Sequence, residues 1–181
     1  QVLVSFAILA NDGIYMQPTL VYEVLDSNGN VIEPFTPKIK WDITKDPLIT
    51  VYDENNFPTD QKIVVDPFVV EKAKEGMRLT ITDGTATRAF SGVSIPTARK
   101  TGTAEFCDNI AQSLDLCKPG AWPSHSWYVG YAPFDNPEIA VVAFVYNGRE
   151  GATVSGWIVR RFLEAYFQLK AIDSTVGGIG G

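Results

Sequence analysis

The second half of the chain is an ordered series of three strand patterns followed by a helix pattern, and this order constrains the fold more than any other feature. Extended segments are predicted at Pro96 to Glu105, Ser126 to Ala132 and Ile139 to Tyr146, the last of them buried. The turn residues Asp135-Asn136-Pro137 separate the last two segments. A final amphipathic helix is predicted from apolar residues at helical spacing, namely Ile158, Phe162, Tyr166 and Leu169. The series predicts an α/β (α+β) fold in which helices cover an antiparallel sheet.

The first half of the chain predicts two helices and little regular sheet. Gln1 to Ala10 is apolar almost all round, which favours a buried helix closed by Gly13. Asn28-Gly29 predicts a hairpin turn between strands over 19–25 and 31–32. Residues 33–66 are rich in proline and predict a long loop with one short strand at 48–52. Asp66-Pro67 predicts the start of a second helix, whose core stripe is Val70, Ala73, Met77 and Ile81 and whose end is Gly84.

Composition narrows the class of protein. The 181 residues are 45% hydrophobic and 20% charged, which predicts one globular domain. A net charge of −6 with no basic stripe argues against nucleic acid as a partner. The longest wholly apolar run, residues 139–146, is too short to span a bilayer. No signal peptide precedes the first helix, so we expect further N-terminal sequence in the intact protein.

Two cysteines, Cys107 and Cys117, lie in a polar insertion between the first two strands. Neither has a histidine or a second cysteine at the spacing of a zinc site, so no metal site and no cofactor are predicted. The spacing is compatible with a disulfide that closes an exposed loop and equally with two free thiols.

The chemistry of the chain is concentrated in Lys100, Thr101, Gly102 and Thr103, here called the signature. Lysine brings a positive charge with three donors, and Thr101 brings a hydroxyl that can bind a carboxylate. Gly102 has no Cβ, so another backbone can approach closely. Thr103 offers a backbone N–H where an oxyanion could form. On a strand, these groups predict an edge that binds an anionic peptide.

The signature resembles the Lys-Thr-Gly element of penicillin-binding proteins and serine β-lactamases. The continuation Thr103-Ala104-Glu105 and the preceding Gly84-Thr85-Ala86 are similar to the class B penicillin-binding proteins. Residues 125–133 also resemble the strand that follows the signature in this family. Arg99 departs from the pattern, because the family often has glycine there. Trp127 and Tyr131 are interpreted as residues that pack on the face of the sheet.

The resemblance implies a peptidoglycan D,D-transpeptidase that cross-links stem peptides through a serine acyl-enzyme and is the target of β-lactams. Lys100 would bind the substrate carboxylate and assist proton transfer. The hydroxyls of Thr101 and Thr103 would donate hydrogen bonds to the same carboxylate. The N–H of Thr103 would form half of the oxyanion hole. The resemblance also implies a periplasmic or extracytoplasmic location, an N-terminal membrane anchor, and elongation or division proteins as partners.

The nucleophile of this chemistry is missing from the 181 residues. No serine heads Ser-x-x-Lys, and none heads Ser-x-Asn. We therefore expect residues 1–172 to be the C-terminal part of a transpeptidase domain, inactive alone, whose partner is the N-terminal part that carries both motifs. Residues 173–181 are predicted to be a flexible glycine-rich tail.

Other functions remain alternatives or are disfavoured. A β-lactamase or β-lactam sensor of the same fold, and a non-catalytic interaction domain, both stay open. A Ser-His-Asp triad would have to use His125, the single histidine, which is interpreted as structural. The acid pairs Asp42 with Asp46 and Asp53 with Glu54 lie in turns and are interpreted as solvated loop charges.

Overall fold

The structure is a computed structural model that describes residues 1–82, 90 and 92–176. It divides into two compact units, one formed by Gln1–Phe6 with Ala73–Gly181 and the other by Ala7–Lys72. The elements in chain order are α1 (Val2–Ala10), β1 (Ile14–Met16), β2 (Val24–Leu25), β3 (Val31–Glu33), β4 (Ile39–Asp42), β5 (Ile49–Tyr52), β6 (Pro58–Ile63), α2 (Pro67–Thr82), β7 (Ala98–Glu105), α3 (Asn109–Ser113), β8 (Ser124–Ala132), β9 (Ile139–Val145) and α4 (Ser155–Val176).

The Ala7–Lys72 unit contains three two-stranded antiparallel sheets, which pair β1 with β4, β2 with β3 and β5 with β6. The predicted hairpin at Asn28-Gly29 is confirmed, although β2 is shorter than predicted. Gly29 has a φ of 86°, and the Asp26 carboxylate accepts the N–H groups of Asn28 and Asn30 at 2.8 Å. The predicted strand at 48–52 is confirmed as β5. The prediction of one strand within 33–66 is wrong, because β4 and β6 also form there.

The first helix is confirmed, but its predicted burial and closing residue are not. Only Ala10 of α1 is buried, and Val2 and Leu3 are 40% and 39% exposed. The first residue with a positive φ after the helix is Asp12, at 55°, ahead of Gly13 at 96°, and the N–H of Asp12 donates to the carbonyl of Leu9. Gly13 follows and donates to Ile8 at 2.8 Å. This pair of bonds is a Schellman motif, in which an aspartate takes the position predicted for glycine.

The second helix begins as predicted. The Asp66 carboxylate accepts the N–H of Phe68 at 2.9 Å, which satisfies a free donor of the first turn of α2. Of the predicted core stripe, Val70 and Met77 are buried, whereas Ala73 is exposed. The segment Gly84-Thr85-Ala86 and the predicted end at Gly84 lie outside the described residues.

The larger unit is built on the antiparallel sheet β7-β8-β9, with α4 packed on β8 and β9. Its core consists of buried residues from the sheet, from α4 and from the segment before β7, namely Phe90, Tyr128, Ala132, Ala143, Val159 and Leu163. The prediction that β9 is a buried strand is wrong: Ala143 is buried, but Phe144 is 47% exposed. Because successive strand residues point to opposite faces, α4 covers only every second residue of β9.

The buried face of α4 differs from the predicted stripe. Val159 and Leu163 enter the core, while Ile158 and Phe162 are about half exposed, at 50% and 51%. The rotation of the helix is fixed at its start, where Ser155 Oγ lies 2.7 Å from Ser126 Oγ and donates to the carbonyl of Ser126 at 3.0 Å. Both serines are fully buried, so this pairing sets which apolar residues meet the sheet.

The proposed domain boundary at 172 falls inside α4, because the helix continues to Val176. Residues 173–176 are therefore helical, and the tail was predicted to start too early. The cause is that a helix already formed propagates through residues of modest helix propensity. Residues 177–181 lie outside the described residues. Among the residues that are described, no helix has the length and apolar character needed to cross a bilayer.

The two cysteines form a disulfide, which decides between the two alternatives left open by the sequence. Cys107 and Cys117 have Cα atoms 5.7 Å apart, a normal separation for a bridge. The loop they close contains α3, whose first turn is capped by Asp108 accepting the N–H of Ala111 at 2.8 Å. The Tyr146 hydroxyl donates to the same carboxylate at 3.1 Å. Since Tyr146 directly follows β9, this bond ties the loop to the end of β9.

Removing the disulfide is expected to destabilise the protein. Replacing Cys107 and Cys117 by serine should lower the free energy of unfolding by about 2–3 kcal/mol, because the unfolded chain regains the entropy of an open loop. Denaturant titration of the protein and the double variant without reductant measures the difference. The parental protein in reductant should match the variant, and equal stabilities without reductant would contradict the prediction.

Candidate active site

The signature lies on β7, at one edge of the sheet. In the described part of the chain, the strand partner of β7 is β8, with Lys100 opposite Val129 and Gly102 opposite Trp127. The other long side of β7 is therefore the outer edge of this sheet. All four signature residues lie on this one strand, as the sequence predicted.

Hydrogen bonds at both ends of β7 show which backbone groups point to that outer edge. Helix α2 binds two carbonyls there: Arg78 Nη1 donates to Thr97 and Thr80 Oγ1 donates to Arg99, both at 3.0 Å. At the far end, the N–H of Phe106 donates to Pro123, on the side of β8. Antiparallel residues alternate between the two sides, with N–H and C=O of one residue pointing the same way.

This alternation assigns a direction to each signature residue. Because Thr97 and Arg99 face α2 at the outer edge, Thr101 and Thr103 face the same edge. Lys100 and Gly102 direct their backbone groups to β8. The amide N–H of Thr103 thus points outward, where a ligand lying along the strand would meet it.

The side chains of the signature flank the edge from both faces of the sheet. Lys100 and Gly102 share one face, and Thr101 and Thr103 share the other, because neighbouring strand residues alternate. The Lys100 side chain bends back to the edge, where its ammonium donates to the carbonyl of Thr101 at 2.6 Å. Lys100 and Thr103 are exposed, and Thr101 and Gly102 are half-buried. A cation, an outward amide and two hydroxyls therefore surround one strip of backbone.

The space around Gly102 is limited on one side. A Cβ added at Gly102 would lie 3.2 Å from Trp127 Cβ, which is closer than most such contacts. Trp127 in turn packs against Phe144, with ring centroids 4.5 Å apart. The absence of a side chain at Gly102 thus keeps the strand face clear next to the Lys100 side chain.

A glycine that the sequence did not single out is essential to this geometry. Gly151 lies against the strand backbone, and a Cβ there would be 2.3 Å from the carbonyl oxygen of Trp127 and 2.8 Å from that of Gly102. The preceding Glu150 accepts a hydrogen bond from Ser126 Oγ at 3.1 Å. In the sequence, Gly151 follows other turn residues and looks like one more of them, so only its position in space shows its function.

The other residues considered from the sequence have structural surroundings. His125 stacks on Phe106 at 3.8 Å between ring centroids, and its Nδ1 accepts the N–H of Asn147 at 3.3 Å. Tyr131 is fully buried and Trp127 is half-buried, which confirms their prediction as packing residues. In the described ranges, no group of histidine, cysteine and acidic side chains is arranged to hold a metal ion.

The acid pairs organise turns. Asp42 accepts hydrogen bonds from the N–H and the hydroxyl of Thr44, at 2.9 and 2.6 Å, and these bonds, with those from Lys45, lower its pKa to about 2. Asp46 accepts the N–H of Asp42 at 2.7 Å. The interpretation of this pair as solvated charges is therefore incomplete, because Asp42 is largely buried. Asp53 binds the N–H groups of Asn55 and Phe57 in the same way, each at 2.9 Å.

Comparison with known proteins gives consistent matches over nearly the whole chain. Residues 1–164 match the family described as the penicillin binding protein transpeptidase domain. Penicillin-binding protein 2A of Bacillus subtilis is 30% identical over 93% of this chain and 22% of its own length. The peptidoglycan D,D-transpeptidase MrdA of Haemophilus influenzae is 28% identical over 94% of this chain and 24% of its own length.

Solved structures show the same relation. The imipenem acyl-enzyme complex of penicillin-binding protein A from M. tuberculosis superimposes with a TM-score of 0.60 and 25% identity. The match covers 91% of this chain and 29% of that one. The present chain thus spans about a quarter of the length of the relatives it matches. The mixed fold predicted from the sequence, helices with an antiparallel sheet, is confirmed.

Proposed function

This chain belongs to the penicillin-binding protein transpeptidase family, and we propose that it supplies the Lys-Thr-Gly edge of a class B peptidoglycan D,D-transpeptidase. The enzyme would cross-link stem peptides through a serine acyl-enzyme and be trapped by β-lactams. The observation that carries the proposal is the outer edge of β7, where the Lys100 ammonium contacts the Thr101 carbonyl and the Thr103 amide points outward.

The edge can perform three tasks in acyl transfer. The Lys100 ammonium attracts the terminal carboxylate of a stem peptide or the carboxylate of a β-lactam, taking it in exchange for the Thr101 carbonyl. The Thr101 and Thr103 hydroxyls donate to the same carboxylate. The outward backbone of Thr103 pairs with the extended ligand in the manner of an added strand.

In this proposal the amide of Thr103 stabilises the charge that develops during the reaction. When a serine oxygen attacks the carbonyl carbon, the carbonyl oxygen becomes an oxyanion, and a fixed N–H donor stabilises the developing charge. The serine proton passes to a neighbouring base and then to the departing amine, so that the acyl-enzyme and the free amine result. A second N–H, from the serine itself, would complete the oxyanion hole.

The serine must come from another part of the protein. The 181 residues contain neither Ser-x-x-Lys nor Ser-x-Asn, so both motifs belong to the partner segment in this proposal. Peptidoglycan lies outside the cytoplasmic membrane, so the enzyme would work on the periplasmic or extracytoplasmic face, held by an N-terminal anchor. Elongation or division proteins are the expected macromolecular partners.

Labelling with a fluorescent penicillin tests the proposal. The 181-residue chain is expected to remain unlabelled, because it lacks the nucleophile, whereas the complete domain is expected to be labelled on the serine of Ser-x-x-Lys. Mass spectrometry of the adduct locates the modified residue. A covalent adduct on a serine of this chain, or no adduct on the complete domain, would contradict the proposal.

The rate at which the adduct decays separates the alternatives within the same fold. A transpeptidase holds the penicilloyl group for a long time, whereas a β-lactamase releases it rapidly as the hydrolysed drug. Loss of the label within seconds to minutes would favour a hydrolase. A complete domain that binds the drug without any covalent adduct would favour an interaction domain.

A further inference from the structure

Arg99 is buried next to the signature. It precedes Lys100 on β7, and its side chain points to the opposite face of the sheet because strand residues alternate. Only 2% of its surface is exposed. A buried guanidinium requires hydrogen-bond partners, since an unsatisfied charge in the interior is strongly destabilising.

Two hydroxyls and an aromatic ring hold this guanidinium. Arg99 Nε donates to Thr97 Oγ1 at 2.7 Å, and Nη1 donates to the hydroxyl of Tyr128 at 2.9 Å. The guanidinium also lies over the ring of Phe90. Burial lowers the pKa of Arg99 to about 10, so the group still carries its charge at neutral pH. The side chain is thereby fixed at three points.

These contacts connect Arg99 to the signature through the backbone. Tyr128 is the cross-strand neighbour of Thr101, so the Arg99–Tyr128 bond ties the edge strand to β8 at the level of the signature. The carbonyl of Arg99 also accepts the hydroxyl of Thr80 from α2. Residues 97–101 are therefore held from the inside by the guanidinium and from the edge by α2.

The partner strand is adapted to this arrangement. Gly130 lies opposite Arg99, and a Cβ there would be 2.6 Å from the carbonyl oxygen of Ala98 and 3.0 Å from Arg99 Cβ. Any side chain at Gly130 would push β7 away from β8. The close approach of the two strands and the buried arginine thus occur at the same level of the sheet.

We propose that Arg99 is a positioning residue for the signature: its guanidinium, bound to Thr97 and Tyr128, fixes the place of β7 and hence of the Thr103 amide. The proposal rests on the proposed function. An edge strand has a ladder of hydrogen bonds on one side only. A side chain that anchors it therefore contributes more to its position than it would in a central strand, which is bonded on both sides. Small displacements matter, because misplacement by about 1 Å can lower a rate by about 10²-fold.

The test uses the complete domain, with the rate of penicillin acylation measured over a range of drug concentrations. Arg99→Met keeps much of the apolar part of the side chain but removes the guanidinium. It is expected to lower the acylation rate at saturating drug by about tenfold, while the non-covalent dissociation constant changes less than about twofold. Arg99→Lys keeps the charge without the planar guanidinium and should recover part of the acylation rate.

A matched variant separates positioning from stability. Asp42→Ala removes the hydrogen bonds that organise the turn after β4, in the Ala7–Lys72 unit, and should lower the melting temperature without changing the acylation rate. Tyr128→Phe removes only the hydroxyl that accepts the hydrogen bond of Arg99 Nη1. It should lower the acylation rate by a smaller factor than Arg99→Met, and it tests the same anchor if Arg99→Met does not fold.

The outcomes distinguish the two proposals. A parental domain that is not labelled by penicillin contradicts the proposed function. A labelled parental domain with unchanged acylation in Arg99→Met contradicts only the positioning role of Arg99. The positioning role of Arg99 is also contradicted if Asp42→Ala loses acylation in proportion to its loss of stability, because loss of stability alone would then explain the effect of Arg99→Met.

Discussion

Replacing Thr103 by proline is expected to lower the acylation rate of the complete domain by about 10²–10³-fold, the usual cost of losing one oxyanion-hole donor. Proline has no N–H, so this variant removes the donor itself. The N–H of Thr103 points to the outer edge of β7, and proline is tolerated in an edge strand at such positions. Gly102, which precedes it, is already extended, as proline requires.

Two further variants isolate the amide from other effects. Thr103→Val keeps the N–H and removes only the hydroxyl hydrogen bond to the ligand carboxylate, so its loss of acylation rate should be much smaller than that of Thr103→Pro. Glu105→Pro removes another outward N–H of the same strand, beyond the signature, and serves as the control for the presence of proline. Stopped-flow acylation with a chromogenic β-lactam and melting temperatures of all three variants are compared. Equal losses in Thr103→Pro and Glu105→Pro would show that the Thr103 amide is not the donor.

The sheet could be predicted from sequence because its strands carry strong local patterns. β8 and β9 are apolar, β-branched and aromatic runs, and Asp135-Asn136-Pro137 ends one before the other begins. The sequence did not predict β4 and β6, since β4 is only four residues long and β6 is mostly polar and exposed throughout. Their pairing depends on partners elsewhere in the chain, which a local pattern does not contain.

The buried face of α4 shows a different limit of prediction from the sequence. Ile158 and Phe162 have the same spacing as Val159 and Leu163, one residue along, so the apolar pattern fits two neighbouring faces. The choice is made by the buried pair of Ser126 and Ser155, which fixes the start of the helix on β8. Hydroxyl contacts between residues this far apart leave no periodic pattern in the sequence.

The strand that carries the signature could be predicted from the sequence, but the directions of its backbone groups could not. The signature identified Lys100 to Thr103 from the types of side chain and their order. Which amides point outward follows from the bonds of Arg78 and Thr80 to β7, and these depend on where α2 lies. The close packing of Gly151 on the strand likewise depends on the fold of a loop that the sequence marks only as a turn.

Lys100→Ala in the complete domain is expected to lower acylation by a carboxylate-bearing penicillin about tenfold to a hundredfold. The ammonium lies at the edge, 2.6 Å from the Thr101 carbonyl, where it can exchange that oxygen for a ligand carboxylate. A hydrogen bond to a charged group contributes about 1.5–3 kcal/mol, which corresponds to this range of rates. Lys100→Arg keeps the charge and should recover part of the acylation rate, although a planar guanidinium fits less well than the compact lysine ammonium.

The ligand can be varied together with the residue to show that the carboxylate is what Lys100 binds. The methyl ester of the same penicillin has no negative charge, so its acylation should be slow with the parental domain and nearly insensitive to Lys100→Ala. Lys62→Ala removes another exposed strand lysine, outside the signature, and should leave both rates unchanged. If Lys100→Ala lowered the rates of acid and ester by the same factor, Lys100 would act on proton transfer or on the strand, because recognition of the carboxylate requires the two ligands to respond differently.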